Sequence, residues 1–161
     1  MRQNNFSSDS TTALHEQLGL GAPVPLLALA LTHRSFAYEH GKIPHNERLE
    51  FLGDSVLGLV ITERLYVTNP DLPESDLARM RANIVSSRSL AEIADTIGLG
   101  GYIRLGRGEL LTGGAQKPSI LADTLEAVIG AVYLDCGEPQ VRALIESLFG
   151  PALQRAATLG A

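Results

Sequence analysis

Residues 46–60 read NERLEFLGDSVLGLV. Glu47, Glu50 and Asp54 interrupt an otherwise apolar run, and no Lys or Arg stands three or four residues from any of them. Asn46 is a suitable N-cap, so the pattern predicts a helix from Glu47 to about Val67. At about 100° per residue the three acids share one stripe, within about 60° of arc over two turns. Phe51, Leu57, Gly58 and Ile61 flank it. A solvated face explains Glu47, whose charge suits a helix start. It explains Asp54 poorly, two turns in. Glu50 and Asp54 also form a like-charge pair at i,i+4, which destabilises a helix.

A second segment poses the same problem. In SILADTLEAVIGAVYL (119–134) the only charges are Asp123 and Glu126, at i and i+3 on one face. Buried carboxylates are costly unless a partner compensates them, and the segment offers no cation. Packing the two acidic stripes face to face would bring four carboxylates together. An all-oxygen ligand set suits a hard cation, Mg²⁺ or Mn²⁺. Zinc fits worse, because Cys136 is the only cysteine and no His sits at ligand spacing in these helices. A di-iron bundle calls for Glu-x-x-His pairs, and here the pairs are Glu-x-x-Glu and Asp-x-x-Glu. Carboxylate-held Mg²⁺ is the usual apparatus for phosphodiester hydrolysis, activating water and stabilising the leaving oxygen.

The rest of the chain reads as helices and loops. ALHEQLGL (13–20) suits a short helix. Pro25 starts another to about residue 31, and AYEHGKIPH (37–45) is a connecting loop. ESDLARMRANIVS (74–86) is helical in pattern. Ser89 and Glu92 form a capping box that opens a helix to about Ile97. GLGGYIRLGRGELLTGGAQKP (98–118) reads as an irregular loop. Pro118 suits a first helical position and Gly137 a stop. PQVRALIESLFG (139–150) is a last amphipathic helix, which PALQRAATLGA (151–161) extends or follows as a linker. With no alternating strand pattern, the fold class is all-α.

The 161 residues suit one domain. One cysteine permits no intrachain disulfide, which fits a reducing compartment. No run of about 18 apolar residues exists, so no membrane span is expected. The first twelve residues, MRQNNFSSDSTT, lack the apolar stretch of a signal peptide and read as a flexible tail. A cytoplasmic location follows as the expectation. The net charge of −5 argues against a nucleic-acid partner, unless cations fill the acidic site. The glycine-rich 98–108 stretch matches neither phosphate-binding loop pattern. His33 and His45 read as packing or hydrogen-bonding residues, Cys136 as a buried thiol, and Gly53 as a site of close helix packing.

NERLEFLGDSVL resembles the signature of the ribonuclease III family. ALTHRSF upstream, LARMRANIVSSRSLA in the middle and SILADTLEAVIGAVYLD downstream match in family order. The resemblance covers about residues 13–150. It implies an all-α, homodimeric, double-strand-specific endoribonuclease that uses Mg²⁺, with Mn²⁺ as a substitute, and no organic cofactor. The products would carry 5′-phosphate and 3′-hydroxyl ends, in processing of ribosomal and other RNA. Motif by motif, Glu50, Asp54, Asp123 and Glu126 correspond to the family's metal-binding catalytic carboxylates. Glu47 matches an acid at the site's edge, Glu74 more loosely another, and Phe51 an aromatic residue that inserts into the partner subunit. Arg107 and Lys117 are candidates for RNA contact, with Arg79, Arg81, Arg88 and Arg104 behind them. Typical bacterial members carry a double-stranded-RNA-binding domain after the nuclease domain, so 151–161 reads as an extension toward a domain absent here. A catalytically inactive RNA-binding or scaffold form is the alternative, though all four core carboxylate positions are filled.

Overall fold

The computed structural model describes residues 8–159, with side chains from 11 to 158. Nine α-helices occur among them: α1 Ser8–Gln17, α2 Leu27–Ala30, α3 Arg34–Glu39, α4 Glu47–Thr68, α5 Glu74–Ile84, α6 Ser87–Thr96, α7 Arg107–Leu111, α8 Pro118–Cys136 and α9 Glu138–Leu159. Short 3₁₀ turns span Leu99–Tyr102 and Gly114–Gln116. The described residues form no strand, only an isolated parallel bridge between Thr32 and Arg104. None of their helices is long and apolar enough to cross a membrane.

Helix α8 is the axis. From Ile120 to Val132 only Asp123 escapes full burial. A helix apolar all round must be enclosed, and α2, α4, α6 and α9 do so. Helix α4 is buried on one side only. Leu49, Leu57, Val60, Ile61 and Leu65 enter the core, while Phe51, Leu59 and Tyr66 face outward. On the far side of α4, Arg142 of α9 pairs with Glu63 at 3.1 Å and Arg64 with Glu146 at 3.8 Å.

The sequence-based boundaries hold for α4 and for α8, whose Pro118 lies at the start and whose Gly137, at φ +87°, ends it. Several others shift. Helix α1 already includes Ser8 to Thr12, and the second helix shrinks to four residues. A helix, α3, precedes and takes the first residues, 37–39, of the expected 37–45 loop; the His33 ring nitrogen Nδ1 accepts from the Ser35 amide at 3.1 Å and caps it. Asn46 does not cap α4 with its side chain. It is buried, and its amide donates to the Ala30 carbonyl at 3.0 Å, fastening the start of α4 to α2. Helix α6 begins before the proposed capping box. Ser86, not Ser89, is its cap, accepting from the Ser89 amide at 3.2 Å. The glycine-rich stretch is not plain loop, since it holds α7 and both 3₁₀ turns. Residues 151–158 continue α9 through Pro151. Cys136 is only half-buried.

Candidate active site

Two glycines set the distance between α4 and α8. A Cβ built on Gly53 would lie 2.6 Å from the carbonyl carbon of Glu126 and closer still to its oxygen. On the facing helix, a Cβ on Gly130 would press on the Leu49 carbonyl oxygen and lie 3.2 Å from the Gly53 amide nitrogen. The backbones therefore touch where Glu50 and Asp54 flank Gly53, and where Asp123 and Glu126 precede Gly130. The close crossing is what delivers the acids to one point.

Ligand oxygens of Glu50, Asp123 and Glu126 lie within 4.8 Å of one another. Asp54 is more exposed and joins through a hydrogen bond with Glu126. Among the described residues, no Lys, Arg or His forms an ion pair with any of the four. Protons take the place of a counter-charge. Burial, then the hydrogen bond and charge of Asp54 and the charges of Glu50 and Asp123, push Glu126 up to about 9. Burial, then the charge of Asp123 and a hydrogen bond with it, push Glu50 up to about 7. Asp123 is also raised, by burial first. The carboxylates thus stand as two hydrogen-bonded pairs, Glu50 with Asp123 and Glu126 with Asp54. This is a donor set that a hard divalent cation fits. It has only oxygen ligands, is part-buried, and is held by a rigid helix crossing.

The remaining sequence-predicted residues lie around or away from this cluster. Glu47 is at its edge and pairs with Arg34 at 3.5 Å. Phe51 projects outward, 80% exposed. Glu74 opens α5 and lines a different feature, a cleft of about 370 Å³ with Thr62, Leu65, Tyr66, Leu72 and Leu77. Lys117 is bound to Glu109 at 2.8 Å and to Thr112 at 3.3 Å. Arg107 starts α7, its amide donating to Glu39 at 2.8 Å. Arg79 and Arg88 pair with Asp76 and Glu92 on their own helices.

Two participants, Glu109 and Arg34, escaped the sequence reading, while His33, read as a packing or hydrogen-bonding residue, does hydrogen-bond and fixes α3 beside the site. Burial lowers its imidazole, while Glu109, Glu47 and Asp123 pull the other way. Glu109 anchors Lys117 across a glycine turn, with no local pattern to announce it. Arg34 is the cation at the cluster's edge. The only signal for it was its place beside His33, whose His-x-Ser spacing suits a cap.

Fold and site together define a class: an all-helical domain with an oxygen-donor cluster for hard cations at the crossing of its two central helices. A family profile described as Ribonuclease-III-like matches residues 24–153, and the chain belongs to this family. Ribonuclease 3 of Streptomyces coelicolor is 58% identical over 160 residues, covering 99% of this chain and 58% of that protein. Ribonuclease 3 of Thermobifida fusca is 58% identical over 146 residues, covering 91% of this chain and 61% of that protein. This chain therefore spans about three fifths of the length of these relatives. A solved nuclease domain of ribonuclease III from Campylobacter jejuni is 40% identical. It superposes with a TM-score of 0.81, covering 88% of this chain and 96% of that one. The structure was described for flexibility in a region involved in dimer formation.

Proposed function

We propose that this domain is a divalent-metal-dependent endoribonuclease that hydrolyses phosphodiester bonds in double-stranded RNA, acting as a homodimer in the cytoplasm. The observation that carries this reading is the convergence of Glu50, Asp123 and Glu126, with Asp54 bonded to Glu126, on one spot where none of the four forms an ion pair with a Lys, Arg or His among the described residues. Relatives named Ribonuclease 3 support the reaction class. Glu50, Asp54, Asp123 and Glu126 would hold Mg²⁺, or Mn²⁺ in its place. Bound there, the metal supplies an activated water and charge stabilisation for in-line attack on phosphorus. The chain's own part is to fix the four oxygens by the glycine crossing and to give up the protons they share. No side-chain nucleophile is required. Duplex RNA is recognised mainly by shape, phosphates and 2′-hydroxyls, so weak sequence preference is expected.

The dimer follows from the outer face of α4. Phe51, Thr62 and Tyr66 lie within about 60° of arc, and residues 51 and 66 are about 22 Å apart at about 1.5 Å per residue. Two α4 helices packed antiparallel about a two-fold axis near Gly58 and Leu59 would set each Phe51 against the partner's cleft at Tyr66, a self-complementary interface. Glu74 lines that same cleft. The dimer would therefore bring each Glu74 toward the partner's acidic cluster, which gives this outlying acid a role its own chain does not.

The test is incubation with duplex RNA in Mg²⁺ and in EDTA, alongside Glu126→Gln. Metal-dependent shortening by wild type, lost in a folded dimeric Glu126→Gln protein, supports the reading. A gel shift without cleavage in Mg²⁺ points to the inactive RNA-binding form. Full cleavage by Glu126→Gln removes Glu126 from the metal site.

A further inference from the structure

A nuclease domain with a net charge of −5 must still bring a polyanion to a carboxylate cluster. Three of the basic side chains that stand out in sequence are occupied: Lys117 by Glu109 and Thr112, Arg79 by Asp76, Arg88 by Glu92. One cation at the cluster's edge is Arg34. Its guanidinium is 3.5 Å from Glu47, with the two side chains 57% and 50% exposed. Glu47 in turn acts electrostatically on Glu50 and Asp123, so Arg34 stands one carboxylate away from the site.

Its surroundings suit exchange rather than a permanent bond. An ion pair this exposed is weak. The guanidinium carbon lies 5.7 Å from the centroid of the Tyr38 ring, a cation–π distance that steadies the planar group and leaves its donors free. Tyr38 is itself 58% exposed and has the His45 ring edge-on at 6.4 Å. The segment beneath is rigid. His33 caps α3, and Ser35 Oγ accepts from the Gly106 amide at 2.8 Å. Glu39 accepts from the Arg107 amide, tying the far end of α3 to α7. Gly106 leaves no room for a Cβ, which would lie 2.7 Å from the Ser35 carbonyl oxygen.

We infer that Arg34, steadied by Tyr38 and held by Glu47 until substrate arrives, binds a backbone phosphate of the RNA duplex beside the carboxylate cluster. A guanidinium fork matches a phosphate in two-point geometry, and a phosphate can displace one exposed carboxylate. Glu47 then serves two ends. It keeps Arg34 at the edge, and it is neutralised by Arg34 so that it does not repel the incoming strand. This inference rests on the RNA-cleaving function proposed above.

The test is fluorescence anisotropy of a labelled RNA duplex of about 30 base pairs, with Mg²⁺ present, over a KCl series. The parent is the Glu126→Gln dimer, which keeps the probe intact. Adding Arg34→Gln should weaken binding about 5- to 10-fold and make the slope of log affinity on log salt shallower by about 1, the mark of one lost phosphate contact. Arg34→Lys should keep the parent's slope but recover only part of the affinity, because an ammonium lacks the fork. Tyr38→Ala should weaken binding about 2- to 3-fold with an unchanged slope. Calorimetric Mn²⁺ affinity, measured without Glu126→Gln, should be unchanged in Arg34→Gln. Equal affinity and slope in parent and Arg34→Gln overturn the inference, as does a loss of Mn²⁺ binding in Arg34→Gln, which would make Arg34 a support of the cluster. A parent that binds no duplex RNA overturns the function itself, an outcome distinguishable from the failure of Arg34 alone.

Discussion

Gly53→Ala separates local from tertiary reasoning, because the two give opposite signs. Within a helix, Ala in place of Gly stabilises by about 1 kcal/mol. At this position the new Cβ would lie 2.6 Å from the Glu126 carbonyl carbon. Non-bonded carbons prefer about 3.5–4.0 Å, and the Glu126 carbonyl oxygen is closer still, so α4 and α8 must part by at least about 1 Å. The obstacle is backbone and has no rotamer to turn away. Gly130 on the facing side has no slack either. Overpacking of this kind costs about 1–3 kcal/mol or more. Taking the upper end and subtracting the helical gain leaves a net loss of about 2 kcal/mol. For a domain of this size that corresponds to a melting temperature lower by about 4–8 °C. Parting the helices also spreads Glu50 and Asp54 from Asp123 and Glu126, so Mn²⁺ affinity should fall together with stability. Thermal melts followed by circular dichroism in EDTA, and calorimetric Mn²⁺ titration, measure both. A Gly53→Ala protein that melts at or above wild type with undiminished Mn²⁺ affinity would refute the glycine-crossing account of the site.

Other outcomes follow from the same geometry. In the metal-free domain Glu126 and Glu50 hold protons that the unfolded chain releases above about pH 4.5, so the folded state binds more protons and stability must fall as pH rises through about 7 and then about 9. Melts in EDTA between pH 6 and pH 9.5 should show this decline, and Glu126→Gln should flatten its upper part; a rise with pH would contradict the assignment. Metal needs the carboxylates ionised, so Mn²⁺ binding at pH 7 should release between about one and two protons per site, falling toward none near pH 10, read by calorimetry in buffers of different ionisation enthalpy. Phe51→Ala should weaken the proposed dimer at least about 100-fold, since truncating a Phe that the interface would bury costs about 3–5 kcal/mol, with the folded monomer seen by sedimentation. An unchanged association constant would place the interface elsewhere.

The acidic pattern was legible because it broke a rule at two places at once. Asp54 two turns into an apolar helix and Asp123 with Glu126 in an otherwise uncharged stretch are each expensive alone, and a cation shared between the two packed stripes would answer both. The bounds of α4 and α8 were readable for the same reason, with long periodic segments and clear stop residues. What failed was local capping. Asn46 looks like a cap, but its amide finds the Ala30 carbonyl, sixteen residues away. Ser89 and Glu92 make a capping box in sequence, yet Ser86 captures the Ser89 amide first. His33 capping α3 was not anticipated, because histidine is not among the usual cap residues. Lys117 looked free for RNA because its partner, Glu109, stands across a turn whose shape depends on Gly113 at φ +77°.

The acidic net charge also takes on a different meaning in three dimensions. A sum over the chain treats Glu50 and Glu126 as two full negative charges at pH 7. In the folded, metal-free site Glu126 is largely neutral and Glu50 partly so, because burial and their carboxylate neighbours keep protons on them. The site therefore avoids most of its self-repulsion, and under the proposed function a cation that displaced those protons would bring positive charge to the place where a phosphate would sit. Glu47 is neutralised in another way, by Arg34. A formal charge of −5 then overstates the field that an RNA strand would meet at the cluster under the proposed function. On this account the salt dependence of RNA binding reports the few cations at the site's edge rather than the chain's net charge, and it should retain its normal sign although the domain is acidic.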